Sequence, residues 1–173
     1  DHPSLNGRPN VKFLVTPDWG NSGPYNDNPI GIWYNGSRWT VYNQKTANPM
    51  PANPRFNVFI DDRIFVFEAN NPVGNWQVFD NPTTNNQAGA LVFASQYWTA
   101  VYNPHEIGVW FTNNRWAVYN QDLAGLPRSA KFFLWASGSS STPTPPPVAE
   151  GCPTIPSAAW FNPLRSSLST ASV

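Results

Sequence analysis

Residue types that carry catalysis are sparse in this sequence. The stretch HEIGVW, which begins at His105, lacks the second histidine of a zinc-binding H-E-x-x-H helix, and the other histidine, His2, is remote in the chain. Carboxylates for glycoside hydrolysis are present, but their spacing selects no pair; they are Asp18, Asp27, Asp80 and Glu106. Neither a glycine-rich phosphate loop nor a serine elbow occurs. The sequence therefore predicts a protein that is not an enzyme and that uses no metal or cofactor.

Aromatic rings next to amides offer a different chemistry, namely glycan binding. Sugar C–H faces stack on exposed rings, and sugar hydroxyl groups need amide partners. The candidate glycan-binding residues form two sets with the same spacing: Trp33, Tyr42 and Asn43, and Trp110, Tyr119 and Asn120. The alternative is structural, because an asparagine at the end of a strand can satisfy the backbone of a loop.

Charge and composition exclude several classes of partner. The 173 residues have a net charge of zero and only 12% are charged, which argues against nucleic acid, because phosphate binding needs clustered lysine and arginine. No apolar run approaches the roughly 20 residues that a membrane span needs. The wealth of asparagine, proline and threonine is typical of a secreted or cell-surface protein. The single cysteine, Cys152, excludes an intrachain disulfide, so it is either an unpaired cysteine of the tail or pairs between molecules.

The elements that must position these residues are short strands, and they recur. Apolar runs of strand length alternate with asparagine- and proline-rich turns, and Asn-Pro pairs mark the turns and strand ends. Three stretches appear twice: IGIWYNGSRWTVYNQ (30–44) with IGVWFTNNRWAVYNQ (107–121), FLVTPDW (13–19) with VFASQYW (92–98), and MPANPRFNVF (50–59) with LPRSAKFFLW (126–135). A repeated hairpin of this kind predicts an internal-repeat, all-β fold.

A weaker third unit lies between the two copies. The motif W-x-V-[YF]-[ND] begins at Trp39, Trp76 and Trp116, which gives a period of about 38 residues and predicts three equivalent buried tryptophans. Asp61–Asp62 resembles the turn of a hairpin between two further strands, 55–60 and 63–68.

The predicted fold is a β-sandwich or barrel built from repeats, with a β-trefoil as the alternative. The domain organisation that we expect is an N-terminal arm (1–10), a β-repeat domain (11–137), a Pro/Ser-rich linker (138–151) and a C-terminal tail (152–173) with a tail strand. Within the domain, the copies cover about 11–62 and 90–137 and the weaker unit covers 63–89.

The length of the hairpin loop decides where Trp33 lies. A three-residue loop, Asn35–Gly36–Ser37, places Trp33 on the core face beside Trp39, whereas a two-residue loop, Asn35–Gly36, places it on the outer face. The matching stretch of the second hairpin, Thr112–Asn113–Asn114, favours the longer loop.

At the hairpins the chain resembles a family of Trp- and Asn-rich tandem repeats in predicted secreted bacterial proteins. The likeness covers about residues 11–62 and 90–137 and rests on the pattern GxWYNxxRWxVYNQ. It implies an extracellular β-repeat protein, with no established activity and no catalytic residues.

The expected function is therefore structural. Lys131–Ala136 starts a fourth unit that no hairpin follows, so we expect it to expose a sheet edge. The late strand-like stretch SAAWF (157–161) would pair between molecules, with Trp160, Phe161 and Cys152 as candidate assembly residues. The leading hypothesis is a non-enzymatic extracellular protein that assembles with copies of itself into a surface layer or fibre. The alternative hypothesis is a lectin-like carbohydrate-binding module.

Overall fold

The protein is all-β. A computed structural model describes residues 2–20 and 23–138, and these contain ten strands and no helix. The predicted linker from residue 139 onward, the tail strand, Cys152, Trp160 and Phe161 lie outside the described residues. The strands are β1 (Phe13–Asp18), β2 (Ile30–Tyr34), β3 (Trp39–Asn43), β4 (Arg55–Ile60), β5 (Phe65–Glu68), β6 (Trp76–Val78), β7 (Leu91–Tyr97), β8 (Ile107–Thr112), β9 (Arg115–Asn120) and β10 (Lys131–Ser137).

These strands form three sheets, in the orders β1-β4, β3-β2-β7-β10-β5 and β6-β9-β8. In the described part of the chain none of the sheets closes on itself, so the architecture is that of a β-sandwich. β10 is the most deeply buried strand, and its consecutive apolar residues Phe132, Phe133 and Leu134 are at most 2% exposed. A strand covered on both faces needs such an unbroken apolar run, and each buried side chain contributes roughly 1.5–3 kcal/mol.

Two repeats of the sequence fold alike. β1 pairs antiparallel with β4, and β7 pairs antiparallel with β10 in the matching register: Phe13 faces Ile60, and its counterpart Val92 faces Ala136. The hairpins β2-β3 and β8-β9 also match. We call β1–β4 with the turns before them the first repeat, and β7–β10 with theirs the second repeat. Two equivalent units replace the three that a β-trefoil requires.

The first repeat starts in the N-terminal turns, upstream of residue 11. The Gly7 N–H donates to the Ser37 carbonyl (2.9 Å), just as the Asn86 N–H donates to Asn114 (2.8 Å) at the equivalent place. The same turns receive the indole N–H of Trp39 and of Trp116 in the two repeats, at 3.0 and 3.1 Å. Residues 2–11 therefore form turns that pack on the first hairpin, where the sequence predicted an arm.

Both hairpins have two-residue loops. The loops are Gly36–Ser37 and Asn113–Asn114, and both asparagines have positive φ (49° and 58°), as the favoured hairpin turn requires. The three-residue loop favoured by the sequence was wrong. Trp33 therefore lies opposite Thr40, on the outer face and away from Trp39.

The middle unit is not a third copy. β5 pairs with β10 and β6 pairs with β9, so residues 63–79 complete the second repeat; we call them the filling segment. The predicted hairpin across Asp61–Asp62 was wrong, because β4 pairs with β1 instead of with β5. Trp39 and Trp116 are equivalent half-buried residues, but Trp76 lies opposite Tyr119 and contacts Trp110.

Candidate functional site

Equivalent strands of the two repeats have very different edges. β10 lies between β7 and β5, whereas β4 has only β1 beside it among the described residues. The prediction of an open edge at Lys131–Ala136 was therefore wrong, because β5 covers that edge. The open edge belongs to β4, where Val58, Phe59 and Ile60 are 40%, 46% and 38% exposed.

The backbone of β4 has hydrogen-bonding groups that point away from β1. The Val15 N–H donates to the Ser95 hydroxyl oxygen (3.0 Å), and that hydroxyl donates back to the Val15 carbonyl (3.3 Å), so Val15 does not bond across to β4. Val58 lies directly opposite Val15, and paired residues of an antiparallel ladder bond alike. The N–H and C=O of Val58 therefore point to the free edge.

An open groove lies between this edge and the first hairpin. It encloses about 380 Å³, and its walls come from β3 and β4, the end strands of two different sheets. The apolar lining consists of Leu5, Phe13, Trp39, Val41, Phe56 and Val58. We call this the aromatic groove. His2, Asn6 and Thr40 add polar groups to the walls, and the size of the groove and the apolar part of its lining suit a few large side chains.

In the second repeat the equivalent space is filled by the protein itself. Phe79 is 3% exposed there and packs against Phe65 and Phe67 of β5, with ring centroids 5.8 Å away in both cases. Its backbone N–H donates to the carbonyl of Trp116 (2.9 Å) on the hairpin. Phe67 stacks in turn on Phe132 of β10. The filling segment thus shows which kind of side chains this space takes.

A second surface is the outer face of the first hairpin, which carries one set of the predicted glycan-binding residues. Trp33 is 40% exposed and meets Trp98 edge-on at 5.4 Å. Tyr42 contacts Tyr102 and lies over Gly31, where an added Cβ would be 2.5 Å from the tyrosine hydroxyl. This close approach explains the glycine. Burial of the Tyr42 hydroxyl, with a smaller effect of Tyr102, raises the pKa of Tyr42.

The outer face of the second hairpin has the same tyrosine-over-glycine contact as the first hairpin, but a different tryptophan lies beside it. Tyr119 lies over Gly108 as Tyr42 lies over Gly31. Trp110 is 47% exposed and meets Trp76 of the filling segment at 5.5 Å. The predicted rings are therefore at two related sites, but a different tryptophan flanks each one.

Asn43 and Asn120 are a correction to the predicted glycan sites. They are only 5% and 0% exposed. The Asn43 amide donates to the carbonyls of residues 48 and 49 and accepts from Asn26. The Asn120 amide does the same with residues 124 and 125 and with Asn103. Both asparagines are inaccessible to a ligand, and they hold the loop after each hairpin, as the structural alternative required.

Asp18, Asp61 and Asp122 each bond to a different basic residue. Asp18 pairs with Arg55 (3.3 Å), and Asp61 pairs with Arg63, whose hydrogen bonds hold the pKa of Asp61 well below its usual range. Asp122 bonds to His105 (2.6 Å), which lowers the pKa of Asp122. Within residues 2–20 and 23–138, no three histidine, cysteine or acidic side chains come together as a metal site.

Sequence reasoning missed the aromatic groove. FNVFI of β4 and FFLWA of β10 both follow matching turns, and the one local signal that β4 is less covered is Asn57, which stands where β10 has Phe133. The described residues also include no helix of the length and apolar character that a membrane crossing requires.

Comparison with known proteins gives a family but no activity. A model described as a domain of unknown function, DUF7452, matches residues 1–60 and again residues 48–135. No curated protein and no solved structure matches the chain. The two matches together cover well over half of the sequence, and the chain therefore belongs to the DUF7452 family.

Proposed function

We propose that this protein is a non-enzymatic, extracellular structural protein that assembles with copies of itself into a surface layer or fibre. The observation that carries the proposal is the edge of β4, which is apolar and which no strand of residues 2–20 and 23–138 pairs with on that side, where the equivalent β10 is covered on both sides. Assembly would use this edge, the C-terminal tail, or both.

The physical reason is that an edge strand is a template for another strand. The edge offers the N–H and C=O groups of Val58, and alternating side chains give specificity. Folded proteins usually protect such edges with lysine, proline or a covering loop. β4 has one charged residue, Arg55, which is paired with Asp18 at one end of the strand. At the other end, no strand of the described part of the chain covers the apolar residues Val58, Phe59 and Ile60, which are 38–46% exposed.

The wider setting that we propose is secretion by a bacterium, followed by residence outside the cell or at its surface. The support comes from the sequence alone: the low charge, the asparagine-rich turns and the resemblance to Trp- and Asn-rich repeats. A surface layer or fibre needs a stable repeating unit more than it needs an active site, and the two-repeat fold suits that role.

The test is the assembly state of the full chain as a function of concentration. We expect sedimentation velocity to show large species that grow with concentration, and negative-stain electron microscopy to show sheets or filaments. Val58→Lys should abolish them, because a buried lysine in a strand interface has no partner. Val73→Lys is the matched control, because Val73 is 64% exposed and far along the chain from the edge. A full chain that stays monomeric at every concentration would overturn the proposal.

Glycan binding is the second candidate, and the exposure of Trp33 and Trp110 favours it. Each ring belongs to a pair of perpendicular tryptophans on an outer face, a shape that can hold a sugar ring. On a glycan array, Trp33→Ala and Trp110→Ala should each lose one of two sites, whereas Trp19→Ala, at another exposed tryptophan, should bind normally. Unchanged binding by the double variant would exclude these sites.

A further inference from the structure

We propose that the aromatic groove binds the C-terminal strand of a neighbouring molecule, Ser157–Phe161, and that Trp160 and Phe161 fill it. This inference rests on the proposed function and adds the acceptor and donor parts of the contact. It follows from the comparison of the two repeats.

The second repeat shows what completes a repeat. There, β5 lies along β10, β6 lies along the hairpin, and Phe79 fills the space between them. The first repeat has the equivalent walls, β3 and β4, and a groove of about 380 Å³ lies where the second repeat has Phe79. A segment with backbone groups for the β4 edge and aromatic side chains for the groove would complete it.

The chain beyond the described residues offers one such segment. After Trp135, the sequence contains only two aromatic residues, Trp160 and Phe161, and they end the strand-like stretch SAAWF. The residues nearer to β10, SSSTPTPPP (139–147), cannot take the place of the filling segment, because they lack large apolar side chains and proline cannot donate to a ladder.

The spacer is long enough for the tail to reach a neighbouring molecule. In the first repeat, a tight turn at Asp61 is enough to carry the chain from β4 to β5. About 20 residues separate β10 from Ser157, and at up to ~3.1 Å per residue an extended spacer of this length spans tens of ångströms, which is enough to reach the groove of another molecule. A contact between a groove and the tail of the next molecule is heterologous, so it propagates into a fibre.

The closing experiment uses full chains with single cysteines and a mixture that separates the two modes of binding. One chain carries Cys152→Ser with Val58→Cys, and the other carries Cys152→Ser with Ala159→Cys. On mild oxidation we expect the mixture to give a disulfide between the two chains. Replacement of Val58→Cys by Val73→Cys should reduce its yield about tenfold or more, because encounters at random are not held in place.

Sedimentation of two tail variants separates this inference from the proposed function. Trp160→Ser/Phe161→Ser should raise the protein concentration needed for assembly about tenfold or more, and Leu164→Ser/Leu168→Ser should leave it unchanged. If the wild-type chain assembles but the first variant assembles equally well, the groove–tail contact is wrong and self-assembly stands. If a chain with both cysteines crosslinks only within itself, the tail binds its own groove and the contact between molecules is wrong. If the wild-type chain never assembles, the proposed function fails and this contact fails with it.

Discussion

The two repeats have the same strands in the same register, and one of them is complete while the other is open. The second repeat has its hairpin and β10 covered by the filling segment, so its core closes around Phe79 and Phe132. The first repeat has the matching hairpin and β4, but its edge residues Val58 and Phe59 are 40% and 46% exposed. The sequence of a strand pair therefore does not by itself determine how deeply the pair is buried. Its burial depends on whether another segment of the chain packs on it.

The relation between the repeats is close to symmetric where they meet. Ile32 of β2 faces Tyr97 of β7 in a parallel pair between the repeats, and the Trp98 N–H donates to the Ile32 carbonyl (2.9 Å). A cavity of about 180 Å³ between the repeats is lined by equivalent residues from both, among them Ile30 and Ile107. The reciprocal pair of β8 with β1 is not formed.

A proline accounts for the missing pair. Pro17 of β1 stands where β7 has Gln96, which takes part in the pair with β2. Proline has no N–H to donate, so β1 cannot form the reciprocal ladder. The carbonyl of Ile107 on β8 instead accepts a hydrogen bond from the side-chain amide of Gln121 (2.8 Å).

The largest effect that we predict concerns Phe79 of the filling segment. Phe79→Ala should destabilise the protein by about 3–5 kcal/mol, because it empties a closed core. Phe56→Ala, on the wall of the open groove, should cost less than half of that in the unassembled protein, because Phe56 is only half-buried. Urea unfolding at a concentration below assembly measures both. Equal costs would mean that the first repeat is as closed as the second.

The buried asparagines give the next effect. Asn120→Ala should cost about 1–3 kcal/mol, because it leaves the loop carbonyls of residues 124 and 125 and the amide of Asn103 without their partner. Asn43→Ala should cost less, because its partner Asn26 is only half-buried and can bond to water instead. Thermal unfolding of the two variants orders them, and the reverse order would contradict this difference between the repeats.

The glycines beneath the tyrosines test the outer faces. Gly31→Ala should cost about 1–3 kcal/mol, because the new Cβ would lie 2.5 Å from the hydroxyl of Tyr42, which Tyr102 and Gln44 hem in. Gly108→Ala should cost less, because the three atoms nearest to its new Cβ all belong to Tyr119, at 2.6 Å and beyond, whereas the Cβ at Gly31 meets Gln44 as well as Tyr42. Chemical denaturation of both variants gives the comparison, and a larger cost for Gly108→Ala would reverse it.

The smallest effect is the acid response of an ion pair that only the second repeat has. His105 and Asp122 stand where the first repeat has Asn28 and Lys45. The pKa of Asp122 is lowered in the folded protein by the hydrogen bond from His105, so its contribution to stability is present above the unfolded pKa and is lost as the pH falls through the folded pKa. His105→Asn should therefore flatten the fall of the melting temperature between about pH 5 and pH 2. An unchanged profile would mean that the pair does not stabilise the fold.

Local features of the fold were predictable from the sequence. The strands near 13–18, 30–34, 39–43, 91–97 and 131–137 follow from apolar runs bounded by Asn-Pro turns, and the likeness of the two hairpins follows from their repeated sequence. The loop was not predictable, because Asn35–Gly36–Ser37 and Asn35–Gly36 both suit a hairpin turn, and the observed loop, Gly36–Ser37, is neither of them. Only the pairing of Trp33 with Thr40 settles it.

Some features of the candidate site were likewise predictable from the sequence, and others were not. Residue type marked Trp33 and Trp110 as candidates, since an aromatic next to amides is visible in the sequence, but the favoured loop placed Trp33 on the core face and its exposure follows only from the strand pairing. The burial of Asn43 and Asn120 was not, because the loop carbonyls that they bind come into reach only when the chain turns back after each hairpin.

The sequence by itself determined that the chain is β, that it contains a repeat and where its turns lie, because these depend on neighbouring residues and on period. Tertiary structure alone decided which repeat is complete. Asn57 interrupts the apolar run of β4 where β10 has Phe133, but no local signal names the partner of either strand. The filling segment follows β4 directly in the chain and does not pair with it. It lies on β10, so the aromatic groove is left on β3 and β4. Strands far apart in the chain pair with the partner that gives the lowest free energy among several alternatives. The sequence of one strand does not show which alternative wins, because the result depends on all of the competing strands.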